Sequence, residues 1–534
     1  MRIKKKMKRI YLSMPDKWKK DLMKIAIIIF AITFTHSQLF LAHAASSTNV
    51  SLDNDLYRDM EFWAAEGLIE SQLLSIKPLT KSEAGKQIAA ALDKCSAMET
   101  PSATCRNIRE RYAKLFAPEI AEARNTETTA NTFLKPLESA SVSYRYLDGA
   151  FSIYNNEGIP YGDGHNAAIQ FESNARLWKV LSFSIQPQLA YYGDAGNKNE
   201  GSEFDMRLQK GYAKLTACNL ELEVGRDSLW WGPGYHGALL MSNNAQPFDL
   251  IKLSNPEPVL LPWIFSRLGL VQFNLIFSQL NDERTGSELA NPFLYGLRLG
   301  IKPHPYLELG ATHLVLFGGP ERRDLSFEDI LKTLYSNTNR NGQKTDSNQE
   351  VAVDFALTFP NIGNYIFLAD GLKIYCEIGA EDTGFLPDRR AYIGGFALYK
   401  PFALERAVLR GEYANLSPNS VPDAWYDHPF YPMRYEENLF GHHAGNDSED
   451  FFVEWSQDFE KLFYKLGFDR ERNGFQTKTS TEARNQYSGE IGYRFNANSK
   501  VTLRYVYERI NNFGNAANDS ESNQFVGIDA MIYF

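Results

Sequence analysis

The feature that most constrains the fold of this 534-residue chain is a regular series of segments with period-two character. From about residue 140, apolar or aromatic residues alternate with polar ones, as in Ser-Val-Ser-Tyr-Arg-Tyr at 141–146. This alternation is typical of β-strands whose two faces meet different surroundings. Seventeen such segments follow one another to the C-terminus. Most have about the 9 to 11 residues that a tilted transmembrane strand requires.

The connections between these segments alternate in length. Residues 302–305 and 401–405 are tight turns, whereas 318–349 and 417–450 are long and polar. Outer-membrane barrels have short periplasmic turns and long outer loops, and a closed barrel satisfies every backbone group in lipid. A large soluble β-sandwich or propeller, the alternative, would not explain the alternation. The sequence therefore predicts an all-β transmembrane barrel of about 18 antiparallel strands over residues 140–534.

The expected number of strands follows from parity. The first strand follows a helical N-terminal domain, and the last strand ends at Phe534. Because short turns mark the periplasmic end of such barrels, the pattern of turn lengths places both ends of the barrel chain on the periplasmic side. An even number of strands is then required, and seventeen segments leave one to be found. We expect it around residues 237–243, within the stretch 227–267 that separates two ascending strands.

The first 130 residues have a different character. Residues 1–44 combine a basic stretch, an apolar run and Ala42-His43-Ala44 as a cleavage motif, which predicts a signal peptide. An uncleaved anchor helix is the alternative, although residues 33–38 are polar for a membrane span. Residues 45–130 have apolar side chains at three-to-four spacing and a capping pattern at Thr80, which predict a small helical periplasmic domain.

Charge and cysteine content narrow the function classes. After residue 44 the chain carries 46 Lys and Arg against 63 Asp and Glu, a net charge of -17. This balance argues against nucleic acid as a partner, because phosphates require clustered basic residues. Cys95 and Cys105 lie ten positions apart, and in an exported protein they predict a disulfide. Cys218 and Cys376 are expected to be unpaired thiols.

Residues 225–249 hold the densest cluster of chemically versatile side chains. Flat rings beside hydrogen-bonding groups suit a sugar, because its C–H face lies on an aromatic ring while its hydroxyls bond to polar groups. The equally weighted alternative is that these residues pack the barrel wall or plug its lumen. The candidate carbohydrate-binding residues are Arg226, Asp227, Trp230, Trp231, Tyr235 and His236.

The long loop 417–450 is the second candidate site, because the predicted barrel places it outside the cell. Its aromatic residues could instead fold inward as a plug. The candidate carbohydrate-binding residues are Trp425, Tyr426, Asp427, Tyr431, Arg434 and Tyr435.

Catalytic and metal chemistry find little support in the sequence. The adjacent pair His442-His443 has no partner at ligand spacing, so we predict neither a metal site nor a cofactor. The chain has no nucleophile elbow, phosphate loop or metal-binding motif, and paired carboxylates are common in an acidic chain. We therefore expect a binding protein and not an enzyme.

Two stretches carry a resemblance to a known family. Residues 225–252 resemble the signature region of the Wzi family of capsule-assembly outer-membrane proteins, and residues 56–69 with 77–80 are similar to its helical segment. The resemblance implies an eighteen-stranded barrel with a periplasmic helical bundle. It also implies a lectin that holds capsular polysaccharide on the surface of a Gram-negative bacterium.

The leading hypothesis is thus an outer-membrane, lectin-like protein that binds and anchors exported capsular or extracellular polysaccharide. The alternative is a porin or channel, because a barrel of this size encloses an aqueous pore unless loops fill it. The helical domain also looks somewhat like a surface-layer-homology module, which implies tethering to peptidoglycan. The expected partners are polysaccharide, outer-membrane lipid and, through that domain, peptidoglycan, and we expect a monomer.

Overall fold

The computed structural model describes residues 45–126, 131–149, 151, 153–194, 203–320, 325–335, 345–365, 368–381, 390–418 and 421–534. The predicted signal peptide, residues 1–44, lies outside the described residues. Among the described residues, no helix is both long enough and apolar enough to cross a membrane.

Eighteen antiparallel strands of the described chain form one closed barrel, which confirms the predicted fold class. The last strand pairs with the first, from Ser139 opposite Tyr533 to Asp148 opposite Gln524. The sixth strand resumes after a break at Val259–Leu260. The strands are Phe133–Asp148, Gly164–Leu177, Leu181–Tyr192, Glu203–Ala217, Leu220–Asp227, Phe248–Ser254, Leu270–Gln279, Phe293–His304, Leu307–Phe317, Ser347–Phe359, Gly371–Glu381, Arg390–Tyr399, Ala407–Asn415, Ser448–Phe459, Leu462–Asn473, Glu482–Arg494, Ser499–Asn511 and Ser520–Tyr533.

The period-two pattern corresponds to the two faces of the barrel wall. Along the strand Ser347–Phe359, exposed and buried residues alternate. Val351 and Val353 are exposed on the outer face, whereas Ala352 and Asp354 are buried on the lumen side. Apolar residues on the outer face contact lipid, so half of each strand is hydrophobic without a continuous apolar run. Exposed aromatic residues such as Trp178, Trp263, Tyr365 and Phe402 lie beside the short turns.

The eighteenth strand is not where the sequence analysis placed it. Residues 237–243, all of them described, form no strand, and only Met241 pairs there, in an isolated bridge to Trp231. The missing strand is Phe248–Ser254, which pairs with Leu220–Asp227 and Leu270–Gln279. Consecutive apolar residues from Ala238 to Met241 are all buried. Such a run suits a segment enclosed on every side better than a wall strand with one polar face.

The N-terminal helices form a small domain around one apolar core. Thr80 caps the second helix by accepting a 3.2 Å hydrogen bond from the backbone N–H of Glu83. A disulfide joins Cys95 and Cys105, whose Cα atoms lie 5.6 Å apart. The helices of this domain are Leu56–Ala65, Lys81–Ser96, Ala103–Asn107, Ala113–Leu115 and Ala117–Ala123, with a π-helical turn at Ile108–Tyr112.

Short helices also interrupt the connections between barrel strands. An α-helix lies in the connection 318–346, and a 3-10 helix lies in the connection 360–370. These helices are the α-helix Phe327–Tyr335 and the 3-10 helices Trp263–Leu268, Ile362–Asn364, Pro401–Ala403 and Phe513–Asn515.

The helical domain lies at the end of the barrel that carries the short turns, which we name the short-turn end; the opposite end is the loop end. The backbone N–H of Ser46 donates to the carbonyl of Lys179 at 2.8 Å. Lys400 and Lys500 form ion pairs with Glu66 (2.6 Å) and Asp55 (3.1 Å). Residues 46–80 also reach into the lumen, where Arg298 donates to the hydroxyl of Ser75 at 3.1 Å and Lys373 donates to Glu61 at 2.8 Å.

Candidate carbohydrate site and the filled lumen

Two segments fold from the loop end into the lumen. We name residues 228–247 the inner plug and the described residues of 416–447 the outer plug. Both contribute to one apolar core with inward-facing side chains of the wall. Its plug residues include Trp231, Leu239, Leu240, Trp425, Tyr431 and Phe440.

The inner plug is held through its backbone by an acidic side chain of the wall. The carboxylate of Glu412 accepts hydrogen bonds from three successive backbone N–H groups, those of Tyr235 (2.7 Å), His236 (3.1 Å) and Gly237 (3.0 Å). The hydroxyl of Tyr375 donates to the same carboxylate at 2.6 Å. A buried loop has no strand ladder to satisfy its N–H groups, so carboxyl groups on the wall take that role.

Glu377 holds the inner plug in the same way. Its carboxylate accepts from the backbone N–H groups of Gly234 (3.1 Å) and Leu239 (2.9 Å). The close approach requires glycine at position 232, where φ is +134° and a Cβ atom would lie 2.2 Å from Glu377 Oε1. Gly232 therefore allows the backbone of the inner plug to lie close to the wall.

The outer plug is held mainly by aromatic side chains. Trp425 is fully buried and packs over Gly379, where an added Cβ atom would lie 2.7 Å from the indole ring. Tyr426 joins the two plugs, because its hydroxyl donates to the carbonyl of Leu239 and accepts from the backbone N–H of His442 at 2.8 Å. Burial and two neighbouring histidines hold the pKa of His442 well below its usual range, which keeps it neutral at pH 7.

Seven of the twelve predicted site residues are buried, and five of these belong to the apolar core of the plugs. Trp231, Trp425 and Tyr431 are at most 1% exposed. Their burial matches the alternative given in the sequence analysis, in which these residues plug the lumen. Arg226, Tyr235, His236 and Arg434 are half-buried, and Asp427 is exposed. The buried members are Asp227, Trp230, Trp231, Trp425, Tyr426, Tyr431 and Tyr435. A carbohydrate-binding role for the set stays a prediction.

The structure brings the two predicted stretches together at a partly accessible surface. Arg226 donates from Nε to Asp249 Oδ1 at 2.9 Å, and Gln246 donates to Glu436. The ring of Tyr435 meets Phe248 edge-on, with centroids 6.4 Å apart. Burial and Asp282 raise the pKa of Glu436, while Arg207 and Arg226 oppose the shift. We name this surface the mouth patch; its residues are Arg226, Gln246, Asp249, Arg434, Tyr435 and Glu436.

A cavity of about 230 Å³ borders the inner plug on its other side. Tyr235 and His236 line it together with wall residues such as Phe452, Asp469 and Gln486. Tyr235 donates to Glu454 at 2.8 Å and lies under the guanidinium of Arg410, 4.2 Å from the ring centroid. The cavity has room for several water molecules and combines aromatic faces with hydrogen-bonding groups.

Sequence reasoning missed the acidic wall residues that organise the plugs, above all Glu377 and Glu412. Their signal is weak in the sequence, since each is one of many acidic residues at lumen-facing positions. What distinguishes them is the contact with segments 138 to 177 positions away.

A closed barrel with an apolar outer face, aromatic residues beside its turns and a lumen filled by its own loops defines an integral β-barrel of the outer-membrane type. The family model described as capsule assembly protein Wzi matches residues 139–525, and the chain belongs to that family.

Two relatives illustrate the likeness. An uncharacterized 55.8 kDa protein of the cps region of Klebsiella pneumoniae is 24% identical over 387 residues, 70% of this chain and 66% of that protein. The match thus spans just under two thirds of that relative. The structure of Wzi from Escherichia coli, an outer-membrane protein involved in group 1 capsule assembly and a carbohydrate-binding β-barrel, matches with a TM-score of 0.66. At 17% identity, covering 91% of this chain and 100% of the other, it shows a shared fold.

Proposed function

We propose that this protein binds exported capsular or extracellular polysaccharide at the loop end of the barrel and anchors it to the cell surface. The observation that carries the proposal is the filled lumen in a chain of the capsule-assembly family. Because both plugs and residues 46–80 occupy the interior, the surface left to a long polymer at the loop end includes the mouth patch. The carbohydrate binding of the Escherichia coli relative supports the same role.

Arg226, Arg434 and Asp427 are the predicted residues best placed to contact the polymer. An acidic chain attracts an acidic polysaccharide only through local basic groups, and Arg226 and Arg434 provide two of them, each also ion-paired within the chain, Arg226 with Asp249 and Arg434 with Glu288. Buried Trp231, Trp425 and Tyr431 act indirectly by holding the plugs in place. Tyr235 and His236 line the inner cavity, where a single sugar unit and not a polymer chain would be the partner.

The topology we propose places the helical domain, residues 45–130, in the periplasm and residues 140–534 in the outer membrane. Its position at the short-turn end supports this arrangement, because periplasmic turns of such barrels are short. Peptidoglycan contact through the helical domain is a separate proposal. Sedimentation of the full-length protein with cell-wall sacculi tests it, and recovery of all protein in the supernatant would remove it.

Deletion of the gene in its native host tests the anchoring role. We expect total polysaccharide to stay constant while the cell-bound fraction falls and the fraction in the medium rises. Complementation with the wild-type chain should restore the cell-bound fraction. A fall in total polysaccharide would point to synthesis or export and would contradict anchoring.

A further inference from the structure

Three histidines and three carboxylates converge inside the lumen, next to the cavity described above. His236 comes from the inner plug, and His442 and His443 from the outer plug. The carboxylate oxygen Asp450 Oδ2, from the wall, lies 3.4, 3.6 and 3.5 Å from the Nε2 atoms of these three histidines, in that order. Asp469 and Glu471 of the neighbouring strand complete the group.

The separations in this group match the edges of a metal coordination shell. His236 Nε2 lies 3.3 Å from Asp469 Oδ2, and His443 Nε2 lies 3.0 Å from Glu471 Oε1. Four ligands at about 2.0 to 2.1 Å from a tetrahedral zinc ion are separated from one another by about 3.3 Å. His236, His443 and Asp450 each offer a ligand atom within 4.8 Å of the other two, and the same holds for His443, Asp469 and Glu471.

Several polar atoms of the group are buried without a partner. Within the described residues, both ring nitrogens of His443, Oδ1 of Asp450 and of Asp469, and Oε1 of Glu471 make no hydrogen bond. The side chains of His443 and Asp450 are 1% and 2% exposed. Each of these carboxylate oxygens is buried without a hydrogen bond to offset the loss of water, and a bound cation would offset that cost.

Neighbouring rings hold two of the imidazoles in fixed orientations. Phe452 stacks on His236 with centroids 4.0 Å apart and an interplanar angle of 7°, and Tyr154 stacks on His443 at 4.0 Å and 15°. The hydroxyl of Tyr154 also donates to Glu471 Oε2 at 2.9 Å, which leaves Oε1 directed to His443. Such outer contacts are what position the ligands of metal sites.

His442 differs from the other two histidines. Its Nδ1 accepts a hydrogen bond from the backbone N–H of Ala444 at 3.3 Å, so the proton of the neutral ring resides on Nε2. A protonated Nε2 donates and does not bind a metal. His442 therefore lies beside the group, with Nε2 3.6 Å from Asp450 Oδ2, and is not one of its ligands.

We propose that His236, His443 and Asp450, with Asp469 at the fourth position, bind a divalent transition-metal cation of the Zn²⁺ class. Two imidazoles and two carboxylates form a ligand set suited to such ions. Because the ligands come from the inner plug, the outer plug and two wall strands, the cation joins all three parts of the interior. The cavity bordered by His236 and Asp469 provides a route of entry. The inference does not rest on polysaccharide binding.

Calorimetric titration of the chelator-treated, full-length protein in detergent with ZnCl2 tests the site. We expect one equivalent to bind to the wild-type chain, and His443→Ala to weaken binding by at least about 100-fold, since even outer contacts contribute 10- to 100-fold. Asp450→Asn, which preserves the side-chain shape, should weaken it as well. The matched control is His428→Ala, because His428 is a buried histidine of the outer plug with one carboxylate contact, to Asp346 at 3.5 Å.

Two further measurements separate loss of the site from loss of the fold. Zn²⁺ should raise the temperature at which the wild-type barrel unfolds in detergent but leave that of His443→Ala unchanged. Co²⁺ should give the strong visible absorption of a tetrahedral site in the wild-type and His428→Ala chains. Failure of the wild-type chain to bind Zn²⁺, or equal affinity in the wild-type and His443→Ala chains, would overturn the proposal.

Discussion

The inner and outer plugs fill the same lumen and share one apolar core, but they differ in how far the wall holds their backbones. Glu377 and Glu412 hold the inner plug through five backbone N–H groups, so the identity of most of its side chains matters little for those contacts. The outer plug depends more on side-chain volume, with Trp425 and Tyr431 fully buried, and Glu381 of the wall accepts from one of its backbone N–H groups, that of Tyr426, at 2.9 Å. One barrel can therefore organise its loops mainly by carboxyl acceptors on the wall or mainly by apolar packing. Substitutions that affect the inner plug and the outer plug should then have different effects.

The largest effect is expected from removing an acceptor of the inner plug. Glu412→Ala leaves three backbone N–H groups and the Tyr375 hydroxyl without their acceptor, a cost of roughly 3 to 6 kcal/mol. We expect the purified wild-type protein to show little conductance in planar bilayers and the variant to show frequent large openings. Glu405→Ala, an exposed position at the short-turn end, is the control. Steady large conductance of the wild-type chain would instead favour a porin.

Trp425→Ala should lower the stability of the barrel by removing packing contacts, without removing any acceptor of the inner plug. Loss of a fully buried tryptophan costs about 3 to 5 kcal/mol and leaves a cavity beside Gly379. We expect a lower unfolding temperature in detergent without the large openings of Glu412→Ala. The matched control is Trp263→Ala, because Trp263 is 90% exposed. Equal losses in the two tryptophan variants would show that the outer plug is not held by packing.

Removal of the disulfide should have a smaller effect, and among the two plugs it should affect the inner plug only. Replacing Cys95 and Cys105 by serine is expected to destabilise the helical domain by about 2 to 3 kcal/mol. That domain pairs with the inner plug through Ile76–Lys77, so hydrogen exchange should accelerate there and stay unchanged in the outer plug. Equal acceleration in both plugs would mean that the inner plug has no special link to the helices.

The smallest effects are expected at the mouth patch, where the wall strand Leu220–Asp227 contributes Arg226 and the outer plug contributes Arg434. Arg226→Ala and Arg434→Ala should each weaken binding of the native polysaccharide by about 1 kcal/mol, or about fivefold in Kd. Arg106→Ala at the short-turn end is the control, since its side chain is 49% exposed. Unchanged affinity in both mouth variants would discard this surface as the contact site.

The strands could be predicted closely because the membrane imposes their length and period. The prediction is wrong where that constraint ends: the sequence predicts the eighteenth strand around residues 237–243, but these residues lie in the inner plug. The sequence leaves open whether Trp231 and Trp425 contact a sugar or the apolar core. The outcome depends on wall residues that hold the plugs, such as Glu377 and Gly379. Those contacts join positions far apart in the chain, and no local pattern contains them.

The short pairing of Ile76–Lys77 with Trp230–Trp231 has a mechanical meaning. Under the proposed function, a polymer held at the mouth patch would pull on Arg226 and the residues that follow it. Part of that load would pass along the inner plug into the paired backbone and onward to the helices at the opposite end of the barrel. Tension on the polymer would then be shared with the helical domain, and the lipid-facing wall would not carry it alone.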